Sequence, residues 1–253
     1  IEPRIGSRNA TPAFDWNDKD TWVKSLEGIE KMYVTYYPDL AVPGAKKAIE
    51  SFIYLAKELG VKKIVLLSGK GESEAEACEK IVMNSGMDYT IVRASWFNQN
   101  WSESFFLEPV LSGEIALPLS DVLIPFVDAD DIAEVVTTIL LNDTFNREIV
   151  EATGPELITF MDAVKSIAKT TERSLNFHNI TLEQYVGEMK RMQLPDNFVW
   201  LIEYLFTHVL TNPKNQKISY DIEKVLGRKA RTFIEYAEET AKTGIWNPMV
   251  DHK

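Results

Sequence analysis

The sequence predicts an α/β protein: a Rossmann-like, doubly wound parallel sheet with a smaller, mostly helical C-terminal lobe. Two observations predict it. Through the first half, short β-rich apolar runs alternate with segments of helical periodicity. After Pro155 the alternation gives way to helical patterning up to about Thr243. A soft boundary at Ala152–Pro155 separates a sheet core, residues 1–152, from a lobe, residues 153–253.

Lys31–Tyr37 (KMYVTYY) reads as a buried strand that ends at Pro38. Pro43–Leu59 follows with Ala45, Ala48, Ile49, Phe52, Ile53 and Ala56 at helical spacing. Pro43 suits its first turn and Gly60 its end. Val61–Ser68 is a second strand, Glu72–Ser85 a helix stopped by Gly86, and Asp88–Ala94 a third strand. Val122–Val127 is expected as a strand, Ala129–Leu141 as a helix and Arg147–Ala152 as a short strand. An apolar stretch, Phe198–Leu210, and a final helix near Thr232–Thr243 belong to the lobe.

The 253 residues are 45% hydrophobic and carry a net charge of −11. That balance fits a soluble protein with a small-molecule ligand and gives no basic patch for nucleic acid. One cysteine, Cys78, excludes an intrachain disulfide and points to a reducing compartment. With His178, His208 and His252 as the three histidines, a Cys/His zinc site is not expected. There is no run of about 18 apolar residues and no secretory signal, so a cytoplasmic protein without a membrane span is expected.

In open α/β sheets the ligand lies beyond the carboxyl ends of the strands. That places Tyr36, Tyr37 and Pro38, then Ser68, Gly69 and Lys70, then Ser95, Trp96 and Phe97 where a ligand would lie. A dinucleotide-binding core usually opens with a strand and a glycine-rich turn, which lets the backbone approach a pyrophosphate. No G-x-G-x-x-G or G-x-x-G-x-x-G occurs; Ser68–Glu72 (SGKGE) is short and follows a middle strand. The opening Ile1–Arg8 (IEPRIGSR) instead resembles the end of a second strand, with Arg4, Ser7 and Arg8 of types that suit a ribose 2′-phosphate. The same segment also reads as a solvated loop. Without its central strand a Rossmann sheet would leave a row of unpaired backbone groups. About 25–35 residues, the span of a β-loop-α unit and its turn, are therefore expected before Ile1. A rearranged fold that binds no dinucleotide is the alternative.

Phe14–Trp16 (FDW), KMYVTYYPD, GVKKIVLLSGKGE, SGMDYTIVRASWFNQNWSE, PFVDADDIAEV and GRKARTFIEYAEETA together resemble NmrA-like proteins, atypical relatives of the short-chain dehydrogenase/reductases. Gly227–Tyr236 is also similar to the reductases of ergot alkaloid biosynthesis. The resemblance covers nearly all of the chain. It implies NADP, with NAD possible, as the cofactor. It implies cofactor contacts at Arg4, Ser7, Arg8, Asp15, Trp16, Tyr37, Pro38, Ser68, Gly69, Ala94, Ser95 and Trp96. Phe97, Asn98 and Asn100 would face the substrate.

Ordinary members of that superfamily use Tyr-x-x-x-Lys, in which the ammonium lowers the tyrosine pKa. The only match, Tyr220–Lys224, lies in the late helical part and reads as a surface pair. This favours an acceptor that needs little acid help, such as a quinone, an azo compound or an iminium ion, with Ser68 or Tyr37 as weak candidate donors. Ser68 also reads as a strand-end cap. Trp96, Phe97 and Trp101 would wall a flat acceptor or pack beneath the lobe. Asp128 is expected to cap a helix whose N-terminal dipole Asp130 and Asp131 favour, rather than to bind metal. Glu72, Glu74, Glu76 and Glu79 read as a solvated helix face and Cys78 as core. The expected function is an NAD(P)H-dependent reductase of a small conjugated acceptor. The alternative is a non-enzymatic NADP(H)-binding redox sensor acting through a protein partner. An oligomer is compatible with either.

Overall fold

A computed structural model describes residues 3–248. His252, Ile1 and Glu2 lie outside them. In chain order the elements are α1 (Trp22–Leu26), β1 (Lys31–Val34), α2 (Ala45–Glu58), β2 (Lys63–Gly69), α3 (Ser73–Met83) and β3 (Asp88–Ala94). They continue as α4 (Leu107–Ser112), β4 (Glu114–Leu117), α5 (Ala129–Leu141), β5 (Glu148–Ala152) and α6 (Phe160–Thr171). The last are β6 (Asn176–Asn179), α7 (Leu182–Arg191), α8 (Asp196–Tyr204), α9 (Asp221–Leu226) and α10 (Phe233–Lys242). Four strands form one sheet in the order β1-β2-β3-β5, with β1 parallel to β2.

The chain makes two compact units. One contains the residues up to Arg93 with Val136–Val150; the other contains Ala94–Val135 and the residues from Glu151 on. This differs from a single boundary at 152, because the chain leaves the first unit after Arg93 and re-enters it at Val136. In the first unit, β2 is apolar on both faces, as a central strand must be. Ile49, Phe52, Ile53 and Ala56 of α2 pack with Ile64 and Leu66 of β2 and with Ala75, Cys78 and Val82 of α3. The second unit is built around Trp101, Phe106, Phe160, Phe206, Phe233 and Trp246.

Lys63 is 2% exposed on β2. Its ammonium donates to the carbonyls of Ile139 (2.7 Å) and Asn142 (2.6 Å) and pairs with Asp143 (3.2 Å). A lysine can be buried only when its charge is met in this way, and the C-terminus of α5 supplies the negative end of a helix dipole.

The strand expected over Val122–Val127 does not form. Pro125 lacks a donor, and the segment makes only isolated bridges, Ile124 with Ile158 and Val127 with Phe97. The described part of Ile1–Arg8 is irregular coil and turn rather than a strand, because it joins no ladder. Two strands went unread, β4 in the part taken as the sheet core and β6 in the mostly helical part: they pair in parallel, in register from Glu114–Asn176 to Leu117–Asn179. Each has four residues, and β6 (NFHN) is poor in strand-favouring types.

Gly154 has no room for a side chain: a Cβ there would collide with the backbone carbonyl of Phe126. Gly154→Ala is expected to cost about 1–3 kcal/mol, the usual cost of overpacking, read as a lower urea midpoint at unchanged slope.

Candidate functional site

The first unit's strand ends are organised by a carboxylate. Glu79 of α3 is 1% exposed. It accepts a hydrogen bond from Ser68 Oγ at the end of β2 (2.6 Å). Arg93 of β3 clamps it through Nε (2.9 Å) and Nη2 (2.6 Å). Glu79 and Glu72 are therefore buried, which corrects the reading of that helix face as solvated: Glu79 is paired, and Glu72 folds back over β2. Gly69 is glycine for the same reason, since a Cβ would strike the Glu72 carboxylate. The Oε2 of Glu72 is buried and has no hydrogen-bond partner. Burial above all, then the charge of Asp39, holds the Glu72 carboxyl well above its ordinary value. Burial pushes the Cys78 thiol up to about 11.

Of the other expected contacts in this unit, Tyr37 is 84% exposed and free to meet a ligand. Arg8 is exposed, and Ser7 closes a turn by accepting from the amides of Ala10 (3.1 Å) and Phe14 (2.9 Å). Arg4 is occupied: its guanidinium donates to the carbonyls of Ser25 (3.1 Å) and Glu27 (2.7 Å) at the end of α1. Trp16 donates to the Thr35 carbonyl (3.1 Å) and sits edge-on to Phe14 and Phe52. The Asp15 carbonyl accepts from Trp22 Nε1 (2.8 Å).

In the second unit the turn after β3 is pinned on both sides. Ser95 N donates to the Ala152 carbonyl (2.9 Å) and Asn98 N to the Val127 carbonyl (2.8 Å). Trp96 is ringed by Phe105, Phe106, Phe160 and Phe206. Asn98 is 0% exposed, and neither its amide oxygen nor its amide nitrogen has a partner. Trp96 Nε1 is buried and unpartnered too. Each such group costs about 1–3 kcal/mol unless something bonds to it. Asn100 accepts at its carbonyl from the Phe106 amide (3.1 Å).

Asp128 accepts from the Asp130 amide at the start of α5 (2.9 Å) and from Gln99 Nε2 (2.8 Å). Asp131 does more than favour a dipole. It is fully buried and takes Arg228 and Arg231, both at 2.8 Å. Among the described residues no cluster of His, Cys, Asp and Glu could hold a metal, and no helix is long and apolar enough to cross a membrane.

A family model described as the NmrA-like family matches residues 74–240. The chain belongs to the NmrA-like family. It is 27% identical to the Prestalk A differentiation protein A of Dictyostelium discoideum, over 93% of this chain and 78% of that one. It is 27% identical to an NAD(P)H azoreductase of Xenophilus azovorans, over 91% and 82%. It is 29% identical to the festuclavine dehydrogenase easG of Aspergillus fumigatus, over 89% and 82%. Among solved structures, the NADPH complex of the Escherichia coli quinone oxidoreductase QOR2 superposes with a TM-score of 0.75 at 20% identity, over 90% and 82%. The negative transcriptional regulator NmrA with NADP gives 0.70 at 14%, over 94% and 82%. These last two establish the fold alone.

Sequence reasoning missed Glu79 and Arg93 as a pair. The signal was Arg93 itself, a guanidinium inside the apolar strand DYTIVRA, which demands a buried acid. Arg93→Met is expected to cost about 3–5 kcal/mol by stranding the Glu79 charge. The double variant Glu79→Gln/Arg93→Met is expected to recover most of that loss, with both read from urea unfolding.

Proposed function

We propose that the protein is an NAD(P)H-dependent reductase of a small conjugated acceptor, quinone-, azo- or iminium-like, with NADP(H) preferred over NAD(H). What carries this reading is the pair of relatives named NAD(P)H azoreductase and festuclavine dehydrogenase, aligned over 91% and 89% of the chain. When bound, the dinucleotide supplies a hydride.

Two features fit such ligands. The first unit offers exposed Tyr37 and the cationic Arg8. The second offers the buried Asn98 amide, which has both a donor and an acceptor to give and matches a carboxamide or a carbonyl oxygen. One feature does not: the 253 residues contain no glycine-rich pyrophosphate turn, so no residue of this chain is assigned to the pyrophosphate. The proposed nucleotide contacts in the first unit are Ser7, Arg8, Tyr37 and Pro38. Arg4 and Trp16 are engaged with their own backbone, and Ser68 with Glu79. In the second unit Asn98 is the proposed acceptor contact, beside Phe97 and Asn100.

The acceptor class follows from proton demand. Tyr220 stands just before α9, with Lys224 in that helix, and no Tyr-x-x-x-Lys follows a sheet strand. An acceptor whose reduced form is stable, or is protonated by water, needs no such pair. The rival reading is a non-enzymatic NADP(H) sensor acting through a protein partner. The same missing motif favours it.

NADPH at about 100 times its Kd is expected to stabilise the fold by about 2.7 kcal/mol, read as a rise in melting temperature, and NADPH oxidation is expected with a quinone or azo dye. NADPH binding without turnover across a broad acceptor panel would sink the enzyme reading in favour of the sensor. Arg8→Ala is expected to weaken NADPH binding about tenfold or more, the value of one charge-assisted hydrogen bond, while leaving NADH unchanged.

A further inference from the structure

The turn after β3 carries a side-chain clamp. Asn98–Trp101 is a single 3₁₀ turn. Its second residue, Gln99, is half-buried and bonds through its side chain to the start of α5. Gln99 Oε1 accepts from the Ala129 amide (2.9 Å), and Nε2 donates to Asp128 Oδ1 (2.8 Å). These partners dictate which way the amide faces, since a backbone N–H donates and a carboxylate oxygen accepts. The Gln99 main-chain carbonyl also takes the amides of Ser102 (3.1 Å) and Glu103 (2.8 Å). Gln99 thus closes the turn on itself and binds it to the helix.

One residue earlier stands a group that this rigidity leaves unsatisfied. Asn98 is fully buried, and its side-chain amide has no partner at oxygen or nitrogen. Its backbone is held as well: Asn98 N donates to the Val127 carbonyl (2.8 Å) and Val127 N to the Trp96 carbonyl (2.9 Å). A buried amide left unpaired is destabilising. A turn free to move would relax until that amide found water or a backbone group. An unpaired group therefore persists only where its surroundings hold it, and side chains that meet a ligand are held by such supporting bonds.

We propose that Gln99 is a positioning residue: by clamping the turn to Asp128 and Ala129, it keeps the Asn98 amide unpaired and available to a lone pair of the acceptor. The proposal rests on the reductase reading above and deepens it. Gln99 itself touches neither acceptor nor nucleotide; it acts through Asn98.

Gln99 also satisfies Asp128, which is buried, and that task alone would be a structural role. The two roles have different consequences. If the clamp keeps Asn98 from a partner, removing it relieves Asn98, and part of the lost stability returns. In Asn98→Leu there is no amide to relieve. A role confined to Asp128 costs the same with or without that amide.

The test is a double-mutant cycle of Gln99→Met and Asn98→Leu, read first without ligand as the urea midpoint. Each replacement keeps the size of the side chain and removes its hydrogen bonds. Gln99→Met is expected to lower the midpoint more in the Asn98→Leu background than in wild type. Equal losses in the two backgrounds would overturn the proposal and leave Gln99 a partner of Asp128 only. The second readout is steady-state oxidation of NADPH by menadione, a quinone. Gln99→Met is expected to raise KM for menadione about tenfold, the value of one hydrogen bond. The kcat and the Kd for NADPH are expected to stay unchanged, with no further rise in KM when Gln99→Met is added to Asn98→Leu. An unchanged KM, or a rise that multiplies with that of Asn98→Leu, would overturn the positioning role. If Gln99→Met does not fold, Gln99→Glu replaces it with the same expectations: it keeps the Ala129 bond and sets a carboxylate against Asp128. Absence of NADPH oxidation by the wild type would instead defeat the reductase reading, while the urea cycle would still decide the clamp.

Discussion

A carboxylate cut off from water must be neutralised or it will not stay folded. In the first unit the Glu79 carboxylate, fixed between Ser68 and Arg93, is that constraint. It ties α3 to the C-terminal end of β2 and to β3 at once. Because both of its oxygens are bonded, α3 cannot rotate or slide without stranding a charge. The bare Cα of Gly69 and the inward fold of Glu72 follow from the same close approach of α3 to β2. The hydroxyl that stands at the strand end, where a ligand would look for a donor, is already committed to this acid.

The second unit solves a similar problem at the start of α5. Asp131 is buried beneath Arg228 and Arg231, and the two guanidiniums reach on to Glu134. This anchors the segment that leads into α10, whose Phe233 and Tyr236 enter the aromatic core. Tyr236 donates to Ser102 (2.8 Å) and Trp246 to the Trp101 carbonyl (2.8 Å). Burial raises the Tyr236 phenol to about 12, so it remains a donor. Polar contacts thus orient an apolar core rather than replace it.

Much of this was legible. β3 and α5 have the bounds read from the sequence, Asp88–Ala94 and Ala129–Leu141, because β-branched density and helical spacing are local signals. The parallel order of β1 and β2 followed from alternation with helices. β4 and β6 were not legible, since four residues each hold too little pattern and their partner is 62 positions away. At the strand ends, Ser68 and Gly69 were found by position. Their partners, Glu79 and Glu72, were read as surface because four acids on one helix look solvated until the arginine of another strand is brought to them. Asp131 was rightly placed in the first turn of α5, but its burial beneath two arginines was out of reach, since they lie about a hundred residues downstream.

The interleaved path of the chain bears on how the protein is made. A unit completed by Val136–Val150 cannot close while only the chain up to Arg93 has left the ribosome. Until Asn142 and Asp143 emerge, the Lys63 ammonium has no carbonyl cage, and a strand meant for the interior keeps a solvated charge in its first position. By then the whole segment Ala94–Val135, which belongs to the other unit, has already been synthesised. Strict N-terminal-first folding, the usual course for tandem domains, is closed to this chain. Its nascent form must wait, partly open, for a return crossing.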